Sequence, residues 1–224
     1  MEFHRLFIGL ALPEEYQQAL KSLTVAARPH IHSKCSWTQP GDWHVTLKFL
    51  GDTPTITIPA IQAALAEVAW EAFSFAAGGG GFFPSPERPR VLWVGASLGG
   101  RETGALAGAI EAALTAIGIP PEARPFSVHL TLARIRHAAL REGRDRSGRT
   151  GYTVHAGPAG QAGRAATGDD WPAVLREIGK IRWPELRMDR FVLWRSLPFG
   201  GGAGEGAGRP GPRYVPLGTY AAAG

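Results

Sequence analysis

Seven histidines occur in this chain of 224 residues, and two of them stand in one four-residue frame. The first copy is His44-Val45-Thr46-Leu47, and the second, eighty-five residues on, is His129-Leu130-Thr131-Leu132. Both sit in runs that alternate apolar and polar residues, DWHVTLKFLG (42–51) and SVHLTLARI (127–135), a pattern that predicts β-strands. Alternate side chains of a strand share a face. His44, Thr46 and Lys48 therefore point one way, opposite Val45, Leu47 and Phe49. In the second copy His129, Thr131 and Ala133 oppose Val128, Leu130 and Leu132. With the apolar rows packed on helices, each histidine and threonine is left on the helix-free face of its sheet. Two such faces set against each other would line one groove.

Two imidazoles across a groove suit displacement at phosphorus. An in-line attack needs a base on the entering oxygen and an acid on the departing one, on opposite sides. Imidazole takes either role near neutral pH. Threonine hydroxyls can donate to the non-bridging oxygens, and a neighbouring arginine can stabilise the charge that develops there. A single histidine on an amphipathic strand is ordinarily a satisfied polar residue. A matched pair is not explained that way.

The elements around these strands follow from periodicity and breakers. Residues 4–11 read as a strand, and Pro13 opens a helix to about Ala27 with Glu14 and Glu15 in its first turn. Two short strands follow at 34–39 and 43–50, broken by Pro40-Gly41. After Pro59 the stretch AIQAALAEVAWEAF has helical spacing. Strands are expected at 73–83 and 90–98, then a helix from Glu102 to Ile117 ending at Gly118, then the second His-x-Thr strand at 126–135. A short helix at 171–181 and strands at 187–197 and 212–220 complete the order. Residues 143–170 lose periodicity and read as a surface insertion, and 200–211 as a flexible glycine-rich loop. The class is α+β with antiparallel sheets, and each half of a rough internal repeat supplies one His-x-Thr strand.

Composition is that of a globular chain, 44% hydrophobic and 19% charged, with no apolar run of eighteen residues to span a membrane. The N-terminal apolar run has acidic flanks and no small-residue cleavage site, so it reads as a strand rather than a signal peptide. Cys35 is the only cysteine, which excludes an internal disulfide and a multi-cysteine zinc site and points to a cytoplasmic protein. Net charge is +5, with arginine outnumbering lysine 20 to 4. Planar guanidinium suits phosphate oxygens, although arginine-rich, alanine- and glycine-rich chains also arise from genomic base composition. The glycine clusters at 78–81 and 95–100 lack the Lys-Ser/Thr of a phosphate loop and the G-x-G-x-x-G frame, and are better read as bulges or turns.

Taken with RLFIGLALP near the start, HVTLKFLG, FFPSPERPRVLWVG, RPFSVHLTLAR, and RFVLWRS followed by PRYVPL, the two tetrads give the chain a clear likeness. It resembles the two-histidine (2H) phosphoesterases, specifically the LigT-like RNA 2′,3′-cyclic phosphodiesterases, over nearly its whole length. The resemblance implies one bilobal domain over 1–224, with two antiparallel sheets related by a pseudo-twofold axis, helices on their outer faces and the histidines in a central cleft. It implies hydrolysis of RNA terminal 2′,3′-cyclic phosphates to 2′-phosphates without metal or cofactor, and reversible 2′–5′ RNA ligation by the same chemistry. It further implies a monomer with His129 as proton acceptor and His44 as proton donor. Thr46, Thr131, Arg134 and Phe49 would then contact substrate. Arg134 matches a family arginine at the phosphate and Phe49 an aromatic near the base, yet an ideal pleat puts both on the wrong face, and by itself reads Phe49 as core. Trp37 and His4 are weaker candidates for lining the cleft. The segment 134–149, with six arginines against two acids, is expected to contact an RNA backbone or to be a solvated loop.

Other readings stay open from sequence. The same cleft can serve a small cyclic nucleotide or ADP-ribose cyclic phosphate, and the fold can persist as a non-catalytic RNA-end-binding module. The intact tetrads weigh against the last. A zinc site at His44 and His129 lacks a third ligand with suggestive spacing.

Overall fold

The computed structural model describes residues 1–136, 168–197 and 213–223. Of the expected insertion at 143–170 only 168–170 lie among them, and the glycine-rich loop at 200–211 lies outside. In chain order the described elements are β1 (Phe3–Ala11), α1 (Glu14–Ala27), β2 (Lys34–Trp37), β3 (His44–Pro54), α2 (Ile58–Ala66), β4 (Phe73–Phe83), β5 (Val91–Leu98), α3 (Gly100–Ala116), β6 (Leu130–Arg136), α4 (Trp171–Lys180), β7 (Leu186–Met188), β8 (Arg190–Leu197) and β9 (Arg213–Ala221). Among the described residues no helix is long and apolar enough to cross a membrane.

The strands form two antiparallel sheets, of order β3-β1-β8-β9 and β2-β6-β5-β4-β7. This agrees with the expected class but corrects the expected division into halves. The neighbouring strands β2 and β3 fall in different sheets, and β8 and β9 complete the first sheet beside β1. The run expected as one strand over 187–197 breaks at Asp189, leaving β7 on the second sheet and β8 on the first. The second His-x-Thr strand begins at Leu130, later than expected.

Helices cover one face of each sheet, and the coverage interleaves. α2 and α3 contact each other, α3 lies on β3 and α2 on β9, so both serve the first sheet. α1, although it follows β1 of that sheet, packs with α4, which lies on β4 of the second. Tyr16 of α1 shows why. Its fully buried ring lies 5.3 Å from Trp183, and its hydroxyl donates to the Pro184 carbonyl while accepting from the Ala77 N–H of β4. A buried hydroxyl must find partners, and these tie α1 to the second sheet. Leu6, Ile8, Leu10, Val45 and Leu193 of the first sheet and Phe75, Leu92, Val94 and Leu130 of the second belong to the same buried cluster.

One buried charge joins the two histidine-bearing segments. Lys48 of β3 is enclosed, whereas the pleat alone predicts that it faces the groove. Its ammonium donates to the Glu111 carboxylate of α3 at 2.7 Å and to the Pro120 carbonyl at 3.1 Å. The other oxygen of Glu111 accepts from the Glu122 N–H. The chain running from α3 toward His129 is thus fastened to the strand that begins at His44. Removing one member of such a pair leaves a charge stranded in low dielectric, at a cost of about 3 kcal/mol or more. Glu111→Ala should therefore lower stability by about that amount in urea unfolding, and adding Lys48→Met should recover most of the loss.

Candidate functional site

The contradiction between the pleat and the expected side chains is resolved by an extra residue at the same offset in each His-x-Thr strand. In β3, Thr46 lies opposite Gly9 and Lys48 opposite Ile8, so Leu47 is unmatched, as Leu50 is further on between Phe49 and Gly51. In β6, Thr131 lies opposite Trp93 and Ala133 opposite Leu92, so Leu132 is unmatched. Each bulge falls three residues after the histidine. A bulge resets the alternation. Beyond it Lys48 and Ala133, expected beside the histidines, turn to the buried side. Phe49 and Arg134, five residues after their histidines, turn away from the core to the histidine side and are exposed. Phe49 is not core. It is 52% exposed, and its ring lies 6.3 Å from that of Phe7, which sits 4.7 Å from His44.

Both histidines are held alike. His44 Nδ1 lies 2.7 Å from the Asp42 carbonyl and His129 Nδ1 lies 2.8 Å from the Ser127 carbonyl, each two residues upstream. A carbonyl only accepts, so each Nδ1 donates and each Nε2 keeps its lone pair when the ring is neutral. The rings come from different sheets, yet β3 and β6 touch and the two groups feel each other's charge. Arg134 acts electrostatically on both. Thr46 and Thr131 stand two residues beyond the histidines on the same faces, half-buried, and neither hydroxyl has a hydrogen-bond partner among the described residues.

Aromatic rings wall each histidine, and sequence reading missed most of them. Around His44 stand Phe7, Trp194 at 5.7 Å and Tyr214 at 5.3 Å. Their register partners put them on one face: Phe7 pairs with Phe49 and Trp194, and Ser196 pairs with Tyr214. Gly9 leaves the needed room, because a Cβ there would run into the Val45 carbonyl and press on Trp194. Against His129 stands Phe83 at 5.1 Å, itself stacked on Trp93. Trp93 lies over Gly81, where a Cβ would collide with the indole, so the glycine run of β4 is a floor for an aromatic ring. These rings lie within stretches readable as continuous apolar strand, and only cross-strand register separates their groove side from their core side.

The weaker candidates go elsewhere. Trp37 pairs with buried Ala133 on the core side, with Arg28 5.2 Å from its ring centre. His4 pairs with Thr53 on the side of Leu6 and Ile8, and its ring meets Glu2. Burial pushes the Cys35 thiol up to about 11, which removes it as a nucleophile. Among the described residues no three His, Cys, Asp or Glu side chains gather as a metal site.

The walls have an electrostatic consequence. Burial drives the His44 imidazole from its usual value down to about 4, helped by the charges of His129 and Arg134 and opposed by the Asp42 carbonyl. Burial and Arg134 also lower His129, opposed by the Ser127 carbonyl. Beside them burial pushes the Asp42 carboxyl up to about 6 and raises the Tyr214 phenol.

The site can now be set beside known proteins. A family profile, LigT like Phosphoesterase, matches residues 10–93, which include the first tetrad but not the second. The RNA 2′,3′-cyclic phosphodiesterase of Thermus thermophilus is 35% identical over 143 residues, covering 61% of this chain and 71% of that protein. The protein of the same name from Aeropyrum pernix is 39% identical over 97 residues, 43% of this chain and 55% of its own length. That from Geobacillus stearothermophilus is 32% identical over 136 residues, 60% of this chain and 43% of its own length. The chain thus spans only about half of these last two relatives. Escherichia coli LigT complexed with 3′-AMP superposes with a TM-score of 0.64 at 20% identity over 99% of both chains. TT0787 of T. thermophilus superposes at 0.61 with 24% identity over 97% of both, so these two establish the fold. The chain belongs to the LigT-like phosphoesterase family.

Arg134→Gln removes a positive neighbour shared by both rings. The imidazole pKa values of His44 and His129 should both rise, visible as upward shifts in their ring NMR titrations in the free protein. Unmoved titrations would mean that the guanidinium does not act on the pair.

Proposed function

We propose that this protein hydrolyses RNA terminal 2′,3′-cyclic phosphates to 2′-phosphates by metal-independent acid–base catalysis at His44 and His129, with reversible 2′–5′ ligation open to the same site. The observation that carries this reading is the shared tethering of Nδ1 in both rings, which leaves two Nε2 atoms from two sheets for proton transfer, with Arg134 acting on both. The names of the relatives supply the substrate class. One chain provides both histidines, so a single copy suffices.

In the reaction, water attacks phosphorus opposite the 3′-oxygen. His129 Nε2 takes the water proton, the bond from phosphorus to the 3′-oxygen breaks, and His44 Nε2 delivers a proton to that oxygen. A 2′-phosphate and a free 3′-hydroxyl result. The roles are those the family resemblance implies, His44 as the acid toward the departing alkoxide and His129 as the base toward water. Thr46, Thr131 and Arg134 would hold the non-bridging oxygens, and Phe49 would meet the base.

For kcat/KM the productive pair carries one proton and both imidazoles are lowered, so its maximum should lie on the acid side of neutrality. This is more acidic than two histidines near their ordinary pKa would give. Bound substrate adds a negative phosphate that raises both pKa values. The falling limb of kcat should therefore stand at higher pH than that of kcat/KM.

Turnover of a 2′,3′-cyclic mononucleotide should persist in excess EDTA, and His44→Ala or His129→Ala should each lower it about 10²–10⁴-fold. Loss in EDTA with rescue by added zinc or magnesium would overturn the metal-free reading, and a near wild-type rate in either variant would remove that histidine from the chemistry.

A substrate with sulfur in place of the 3′-oxygen assigns the roles, because a thiolate departs without a proton. His44→Ala should be largely rescued on it and His129→Ala should not. The opposite pattern would exchange acid and base.

A further inference from the structure

The groove side of β6 does not end at Arg134. Arg136 follows two residues on, about 7 Å further along the same face. The cross-strand partner of Arg136 is Lys34 of β2, as Ser36 is the partner of Arg134. All four residues are exposed, while the alternate positions Cys35, Trp37, Ala133 and Ile135 turn toward the core. A lysine thus stands directly opposite an arginine, which is a repulsive pairing. Among the described residues none of Lys34, Arg134 and Arg136 is in an ion pair. β2 and β6 contribute no acid of their own. Asp169, which acts on Cys35 of β2, is buried and accepts from the backbone of His32 and Ser33 and from the Ser33 hydroxyl. The backbone bond from Ile135 N–H to the Arg90 carbonyl brings a further exposed arginine to this end of the sheet.

A lysine on an edge strand can serve to block sheet-to-sheet pairing. That accounts for Lys34 alone, not for its placement against an arginine of the inner strand β6. An anion between the two would turn repulsion into attraction, and the row begins at the arginine beside both histidines. We propose that Arg134, Arg136 and Lys34 form a phosphate track that leads away from the catalytic pair along the edge of the second sheet. Arg134 meets the cyclic phosphate, while Arg136 and Lys34 straddle the phosphate of a preceding nucleotide. The substrate class is then a single-stranded RNA end rather than a free mononucleotide. This rests on the hydrolytic reading above and deepens it.

The test compares wild type with the double variant Lys34→Gln/Arg136→Gln on two substrates, a 2′,3′-cyclic mononucleotide and a short oligoribonucleotide with the same end. The mononucleotide does not reach the track and is the control. On the oligomer, the slope of log(kcat/KM) against log salt should become shallower by about 0.7, since the two cations together neutralise one phosphate of a single strand. On the mononucleotide, kcat/KM should be unchanged. The variant should unfold at no lower temperature than wild type, since it sheds a like-charge pair. An oligomer salt slope equal to wild type, or an equal drop in rate on both substrates, would overturn the track. Anisotropy of the labelled oligomer, with wild type binding more tightly and with the steeper salt slope, decides the track independently of turnover. Failure of wild type to process either substrate would count against the hydrolytic reading instead.

Discussion

The site depends on a conflict between the strand's two-residue period and the chemistry placed on it. A histidine, a hydroxyl two residues later and the side chain five residues later cannot share one face of a regular pleat. One unmatched leucine, Leu47 in β3 and Leu132 in β6, removes the conflict in both strands at the same offset. The consequences extend in both directions from the sheet. Phe49 and Arg134 reach the groove, while Lys48 and Ala133 are turned into the interior. Ala133 fits there without cost. Lys48 does not, and its burial is offset by Glu111 and the Pro120 carbonyl. The device that assembles the site on one side also creates the buried ion pair that anchors α3 on the other.

The two bulges differ in what they deliver. At the first strand the fifth position brings an aromatic ring, and at the second a guanidinium. A pseudo-symmetric frame therefore carries an asymmetric site, with apolar surface at one end and a charge at the other. Aromatic walls desolvate both imidazoles and favour their neutral forms, and Arg134 pushes the same way. An anion bound there would oppose the desolvation and the arginine together, and so raise the protonation of the pair. The carbonyl bonds at Nδ1 keep the rings oriented in either state.

Interleaving of the sheets ties the two histidine-bearing strands together. β2 leaves the first half of the chain to become the edge of the second sheet, while β8 and β9 return to finish the first. α1 crosses to the second sheet and is held there through Tyr16. Neither sheet is a contiguous piece of chain, so the relative placement of His44 and His129 is carried by several crossings rather than by one hinge.

Much of this was legible in the sequence. The paired His-x-Thr frames, the strand and helix order, the α+β class and the resemblance all rest on local pattern, which the chain carries residue by residue. The two histidines and threonines could be put on a helix-free face because two-residue alternation holds as far as the bulge. Past it, alternation misplaces Lys48, Phe49, Ala133 and Arg134, because an unmatched residue is a property of two paired strands and leaves no mark on either one alone. For the same reason Phe7, Trp194, Tyr214, Phe83 and Trp93 could not be told from core aromatics, and the repulsive partnership of Lys34 with Arg136 could not be seen across a hundred residues of chain. The tertiary structure alone decided the pKa shifts of the histidines, since desolvation depends on which walls close around a ring. What is periodic was readable from the chain, and what depends on register and enclosure had to wait for the fold.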